Sequence, residues 1–242
     1  MSLDQVNLDF NDALQTYYPR MGLARGFLLR ATGWLGSDFL RLRTRLFNGR
    51  VLINERIVEY AVVLRWMPAS GRVLDVGCVS SRFPMHLASL GYEVCGIDVR
   101  PYPLTHRNFH FVKCDLFQWN TDERFDVITA ISTIEHFGIG RWGDRQQSDG
   151  DRVLVERLAR LARPGAVLLV SVPFGRSGVT PLHRVYDAES LGRLFAGFPI
   201  RRQVFFRRVD QDWIPSSLED AAEQPFDELP VRAVVVLEVA IG

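Results

Sequence analysis

Five short apolar runs recur between residues 73 and 172, separated by stretches of helical period or of turn character. Val73, Leu74 and Val76, bounded by Gly71 and Gly77, suit a strand buried on both faces. Arg82 to Leu90 has helical spacing, with Phe83, Leu87 and Leu90 on one face, and Gly91 ends it as a left-handed cap. Glu93 to Ile97 is the next strand, with Asp98 at its carboxyl end. Strand, helix, strand within about thirty residues predicts a right-handed βαβ unit, so these strands run parallel. Phe109–Lys113 and Phe125–Ile131 read as further strands, and a helix is expected over residues 151–162. Arg163-Pro164-Gly165 turns the chain into a strand over Ala166–Val172, and a second helix is expected over residues 188–195. Ile200–Val209 and Val231–Ile241 are the last strands, bracketing a loop with Trp213, Ile214 and Pro215. The pattern predicts an α/β fold, whose ligand lies outside the carboxyl ends of the strands.

The first 68 residues read differently. Leu23, Phe27, Leu28, Ala31, Trp34 and Leu35 form one helical stripe, and Phe39, Leu42, Leu46 and Phe47 another. Asn54 is placed to cap a third helix with Ile57, Tyr60, Ala61 and Leu64 inward and Pro68 beyond its end. Eight arginines between Arg20 and Arg56 face only Asp38 and Glu55. This divides the chain into N-terminal helices over 1–68 and an α/β domain over 69–242. The basic helices fit either peripheral contact with an anionic membrane or a cap with its arginines in water.

Composition excludes several classes. The 242 residues carry a net charge of +1, which argues against a general nucleic-acid binder. No apolar run reaches the length of a membrane span, and Met1–Asp12 is too acidic and polar for a signal peptide. Cys78, Cys95 and Cys114 share no metal-type spacing and fit small apolar positions in a reducing, cytoplasmic setting.

Candidate chemistry gathers at the strand ends. Asp75, Gly77 and Asp98 fall on one rim, where Gly77 permits a sharp turn and Asp98 is placed to accept from both hydroxyls of a ribose. A dinucleotide fingerprint would need G-x-G-x-x-G, whereas the chain has Gly77-Cys78-Val79-Ser80-Ser81-Arg82. The run Val73-Leu74-Asp75-Val76-Gly77, with an acidic residue ending the next strand, resembles the S-adenosylmethionine (SAM) site of class I methyltransferases. Val79 stands where a second glycine is common. The later run Leu158 to Pro173, L-x-x-L-A-R-P-G-A-x-L-L-V-S-V-P, resembles the same family. The resemblance implies a Rossmann-like, seven-stranded, mostly parallel sheet with its last strand antiparallel, and a helical cap over the site. It implies SAM as cofactor, held by Asp75, Gly77, Cys78, Ser80, Asp98, Val99, Asp115, Leu116, Ser132 and Glu135. Asp115 is the candidate for the adenine amino group, and Glu135 is placed either to orient His136 or to support the cofactor.

The segment Ser132 to Asp144, STIEHFGIGRWGD, follows the fourth strand on the same rim and resembles a bacterial subgroup associated with surface polysaccharides. His136 is the leading candidate base, with His183 second, because an imidazole titrates near neutrality. Arg141, Trp142, Asp144 and Tyr186 are the candidate acceptor-binding residues. His136, Asp144, Asp149, Asp151 and His183 lack a tight metal-ligand spacing, so no metal is assigned. No Asn/Asp-Pro-Pro-aromatic sequence follows the fourth strand, which removes the usual hint of base or amide nitrogen methylation. The expected function is methyl transfer to a small-molecule or glycan acceptor, most simply a sugar hydroxyl. The alternatives are a SAM-binding partner without turnover and a nicotinamide oxidoreductase, which the missing glycines oppose.

Overall fold

The computed structural model describes residues 54–140, 146–226 and 231–242. The first two predicted N-terminal helices, with the membrane contact proposed for them, and Arg141, Trp142 and Asp144 lie outside the described residues. The helix α1 (Arg56–Trp66) belongs to the compact unit Ile53–Gly242. It is followed by β1 (Arg72–Val76), α2 (Phe83–Ser89), β2 (Glu93–Asp98), β3 (Phe109–Lys113) and β4 (Phe125–Ile131). Then come α3 (Gly150–Leu161), β5 (Ala162–Pro173), a small hairpin of β6 (Gly178–Val179) and β7 (Arg184–Val185), and α4 (Ala188–Leu194). The chain closes with β8 (Ile200–Val209), β9 (Asp212–Ser216), α5 (Leu218–Ala222) and β10 (Ala233–Ala240).

Among the described residues the main sheet has eight strands in the order β3-β2-β1-β4-β5-β10-β8-β9. β1 pairs parallel to β2 and β4, with β3 and β5 parallel outside them. β10 enters between β5 and β8 and runs antiparallel to both. The predicted mostly parallel sheet with its antiparallel last strand is therefore present, with one strand more than expected. That strand is β9, over Trp213, Ile214 and Pro215, for which the sequence predicts a loop; it pairs antiparallel to β8 at the sheet edge, with Pro215 opposite Phe206. An edge strand tolerates a residue that cannot donate to the ladder.

The central strands β1, β2, β4, β5 and β10 are buried on both faces, as their continuous apolar runs require. One face carries Leu74, Ile128, Leu168, Val170 and Leu237 against Leu154, Leu158 and Leu161 of α3 and Leu191 and Leu194 of α4. The other face packs Val73, Val127 and Leu169 against Phe83 and Leu87 of α2 and Val63 of α1.

Two helical faces differ from expectation. In α1, Ile57 is exposed and Ala61 lies outward, whereas Glu59 and Val63 are buried. The N-cap is Glu55, without a side-chain cap, rather than Asn54. The helix is turned so that the Glu59 carboxyl meets Arg56 and Ser132 inside the fold. In α2, Leu90 closes the helix on its exposed side, and Phe83, Pro84, Leu87 and Ala88 form the buried face.

Candidate active site

β1 ends in a turn that brings backbone close to the rim. Gly77 adopts a left-handed conformation (φ 70°, ψ 36°) and donates its N–H to the Ile97 carbonyl at 2.9 Å. A Cβ there would come within 2.6 Å of the Thr133 methyl, so the turn requires glycine on both steric and torsional grounds. Thr133 is itself fixed, its hydroxyl lying 3.1 Å from the Val76 carbonyl and 3.0 Å from that of Ile131. The ends of β1, β2, β3 and β4 thus enclose a cavity of about 400 Å³, lined by predicted residues Gly77, Asp98, Val99, Asp115, Leu116, Ser132 and His136. Arg56, Arg100, Phe117, Thr133 and Phe137 line it too, and sequence reasoning did not select them.

Asp98 is nearly buried, and both of its oxygens are engaged. Oδ2 accepts from the Val79 N–H at 3.1 Å and Oδ1 from the Arg100 N–H at 2.9 Å. The Arg100 guanidinium adds Nε to Oδ1 and Nη2 to Oδ2, each at 3.2 Å. This fork sits on the edge of the carboxylate expected to take a diol, and Arg100 is 38% exposed, so water can take its place. Across the cavity, Phe117 and Phe137 meet edge to face with centroids 6.0 Å apart. Asp115 shapes this wall by accepting the Phe117 N–H at 3.0 Å. Arg157 of α3 braces it from behind, donating to the carbonyls of Leu116 and Trp119.

A polar group from α1 closes the opposite end. Arg56 donates through Nη1 to the Ile131 carbonyl at 2.7 Å and to Glu59 Oε2 at 3.3 Å. Glu59 Oε1 accepts the Ser132 hydroxyl at 2.7 Å. Ser132 sits at φ 41°, an uncommon value for a residue with a side chain, and the Ser171 hydroxyl and carbonyl hold its N–H at 3.0 and 3.1 Å. Burial raises the Glu59 carboxyl to about 7, against the opposing pull of Arg56.

Several predicted residues stand behind the cavity wall. Asp75 is buried, accepts the Thr129 hydroxyl at 2.6 Å, and is raised to about 7 by burial. Its Oδ2 is buried without a hydrogen-bond partner. Cys78 is buried with its sulfur against Gly96, and burial pushes its thiol up. Ser80 closes the short turn Cys78–Ser80. Glu135 is buried, with Oε1 3.8 Å from His136 Nε2, and burial raises it to about 8. Tyr186 is buried and donates its hydroxyl to Asp151 at 2.8 Å, away from the cavity. Among the described residues no cluster of three or more His, Cys, Asp or Glu side chains could hold a metal ion, and no helix is long and apolar enough to cross a membrane.

His136 is the titratable base at the cavity edge. Its side chain is a third exposed, and Nδ1 lies 2.7 Å from the Leu182 carbonyl. A carbonyl only accepts, so Nδ1 carries the proton, and Nε2 is the basic nitrogen of the neutral ring. His183, the second candidate, is buried and meets the His136 ring edge to face at 6.4 Å. The two predicted histidines are thus neighbours, with His136 at the cavity and His183 behind it.

Comparison with known proteins agrees with this geometry. A family model described as "Methyltransferase domain" matches residues 51–214. A ubiquinone biosynthesis O-methyltransferase of Pseudoalteromonas translucida is 27% identical over 129 residues, 49% of this chain and 50% of that protein. The corresponding protein of Xanthomonas axonopodis pv. citri is 27% identical over 153 residues, 59% of each chain. The chain therefore spans about half to three-fifths of these relatives. Among solved structures, Burkholderia thailandensis 1,6-didemethyltoxoflavin-N1-methyltransferase, bound to S-adenosylhomocysteine, aligns with a TM-score of 0.56 and 17% identity, covering 88% of this chain and 89% of its own. The N-methyltransferase NodS of Bradyrhizobium japonicum WM9, also with S-adenosylhomocysteine, aligns at 0.53 and 15% identity, covering 78% of this chain and 88% of its own. The sheet order, the Gly77 turn and the match over residues 51–214 lead to one conclusion: the chain belongs to the methyltransferase-domain family and has the class I fold of SAM-dependent methyltransferases.

Proposed function

We propose that the protein transfers the methyl group of SAM to a hydroxyl of a small-molecule or glycan acceptor, a sugar hydroxyl above all, with His136 as general base. The observation that carries the hydroxyl reading is the His136 Nδ1 contact to the Leu182 carbonyl, which makes Nε2 the basic nitrogen of a histidine that lines the cavity. An aliphatic hydroxyl is a poor nucleophile and gains from a base during attack, whereas a neutral amine does not need one. The polysaccharide-like segment Ser132–Asp144 supports a sugar acceptor.

The residues present fit the cofactor. Asp98 would accept from the ribose hydroxyls once the Arg100 fork is displaced, and Asp115 would take the adenine amino group beside Val99, Leu116 and Phe117. Gly77 allows backbone to approach closely, and the Arg56 guanidinium would meet the carboxylate of the methionyl part. The sulfonium supplies an electrophilic methyl group. The protein's part is then to align the acceptor, exclude water and take the hydroxyl proton at His136 Nε2.

The test is a panel of sugar, phenolic and amine acceptors with labelled SAM, using wild type and His136→Ala. The proposal expects transfer to oxygen, with SAM affinity retained and turnover cut about 10²-fold or more in the variant. Full activity of His136→Ala would defeat the assignment of the base. Transfer to amines alone would overturn the hydroxyl reading, and SAM binding without transfer to any acceptor would favour a non-catalytic SAM-binding partner.

A further inference from the structure

The hairpin that follows β5 grips His136 from two sides. The Leu182 carbonyl holds Nδ1 at 2.7 Å. Arg184, nearly buried, donates to the carbonyl of Phe137, the residue after His136, and to that of Gln147 at 3.1 Å. The position of the Leu182 carbonyl is set in turn by one hydroxyl. Thr180 Oγ1 accepts from the Leu182 N–H at 3.0 Å and the His183 N–H at 2.9 Å, and donates to the His183 carbonyl at 3.0 Å. The Thr180 N–H reaches that carbonyl as well, at 2.9 Å. A hydroxyl has one proton and two lone pairs, and all three are used here by a buried threonine.

We propose that Thr180 is a positioning residue for proton transfer: its hydroxyl folds the 180–183 turn so that the Leu182 carbonyl fixes His136 as the Nδ1–H tautomer. This rests on the reading of His136 as base. The chain that transmits the effect is short and runs from the Thr180 hydroxyl to the Leu182 amide, the Leu182 carbonyl and then Nδ1. Without the turn, the carbonyl swings, and the ring is released to the Nε2–H tautomer that free histidine prefers. That tautomer presents a proton, not a lone pair, where the acceptor's proton must go.

Among the described residues, the charged and titratable groups around the ring include Glu135 with Oε1 3.8 Å from Nε2, His183 edge-on at 6.4 Å, Arg56 and Asp115 on the same cavity, and Arg184 behind the backbone. The Leu182 carbonyl stabilises the doubly protonated ring more than the neutral one, because a cation donates the stronger hydrogen bond. Its loss therefore lowers the pH at which His136 titrates.

The experiment is nitrogen-15 NMR of histidine-labelled protein bound to S-adenosylhomocysteine, on wild type, Thr180→Val and Thr180→Ser. Wild type is expected to show His136 protonated at Nδ1 in its neutral form. Thr180→Val, which leaves two turn amides without their acceptor, is expected to shift His136 towards the Nε2–H form and to lower its titration midpoint. Thr180→Ser is expected to restore both. On the acceptor found by the panel, kcat of Thr180→Val falls about tenfold, with the KM for SAM unchanged and the acidic limb of its pH profile moved to lower pH. A wild-type His136 protonated at Nε2 overturns the proposal without any variant, which covers a Thr180→Val protein that does not fold. An unchanged tautomer and pH profile in folded Thr180→Val overturns it equally. Failure of wild type to bind S-adenosylhomocysteine would instead strike the SAM reading itself.

Discussion

Substituting Gly77 by alanine isolates the turn that shapes the cavity. The residue sits at φ 70°, where an L side chain costs about 1–2 kcal/mol. The added Cβ would also lie 2.6 Å from Thr133 Cγ2 and 2.9 Å from Thr133 Oγ1. Thr133 cannot rotate away cheaply, because its hydroxyl is buried against the carbonyls of Val76 and Ile131. Leaving a buried hydroxyl unpaired costs about 1–3 kcal/mol, the same range as forcing an extra methyl into a packed site. Gly77→Ala is therefore expected to lose about 2–5 kcal/mol of stability in urea unfolding at unchanged m-value. Thr133→Ser separates the two contributions, since it deletes Cγ2 and keeps the hydroxyl. In the double variant the closest clash, with Cγ2, is relieved while the Oγ1 contact and the torsional part remain, which predicts a favourable coupling of about 1 kcal/mol or more. A Gly77→Ala loss below about 0.5 kcal/mol would refute the claim that this turn demands glycine. A full loss with no coupling to Thr133 would refute the steric half alone.

Asp98→Asn should weaken S-adenosylhomocysteine by about 2 kcal/mol in calorimetry, roughly 30-fold, from the loss of charge-assisted hydrogen bonds; an affinity within threefold of wild type would remove Asp98 from the site. Arg56→Met should weaken S-adenosylhomocysteine about tenfold or more while leaving adenosine unchanged, because adenosine has no carboxylate to meet the guanidinium; equal losses for both ligands would contradict that role. Glu135→Gln should change how stability depends on pH. Burial raises the native Glu135 pKa from its ordinary 4.5 to about 8, so the folded state holds this proton more tightly than the unfolded one. Wild-type stability therefore falls as pH rises between those values, by at most about 1.4 kcal/mol per pH unit from this group. Glutamine cannot ionise, so the variant's melting temperature should gain on wild type from pH 5 to pH 8, and parallel curves would show that Glu135 is not so perturbed.

The central parallel strands were legible because both of their faces are buried, which leaves short uninterrupted apolar runs such as FDVITAI with little to imitate them. Gly77 and Asp98 were legible because their spacing reflects one strand-helix-strand unit. The orientation of α1 was not. Its buried face includes the charged residue Glu59, and that burial depends on Ser132, 73 residues away, which no local pattern reveals. Arg56 escaped notice for the same reason, being one arginine among many in a basic stretch. β9 was hidden by Pro215, which marks a loop in a central position and is permitted at an edge. The place of Tyr186 after β5 suggests a substrate residue, yet its hydroxyl donates to Asp151 of α3. Adjacency in sequence located the rim, but it could not say which side chains point into the cavity and which brace it.

Thermal unfolding with SAM, S-adenosylhomocysteine and NADH in parallel tests the central claim most directly. A ligand at 100 times its dissociation constant adds about 2.7 kcal/mol, or roughly 5–10 °C for a domain of this size. The account predicts that shift with both adenosyl compounds and none with NADH. A shift with NADH alone would contradict the reading of the Gly77 turn and Asp98 as a SAM site.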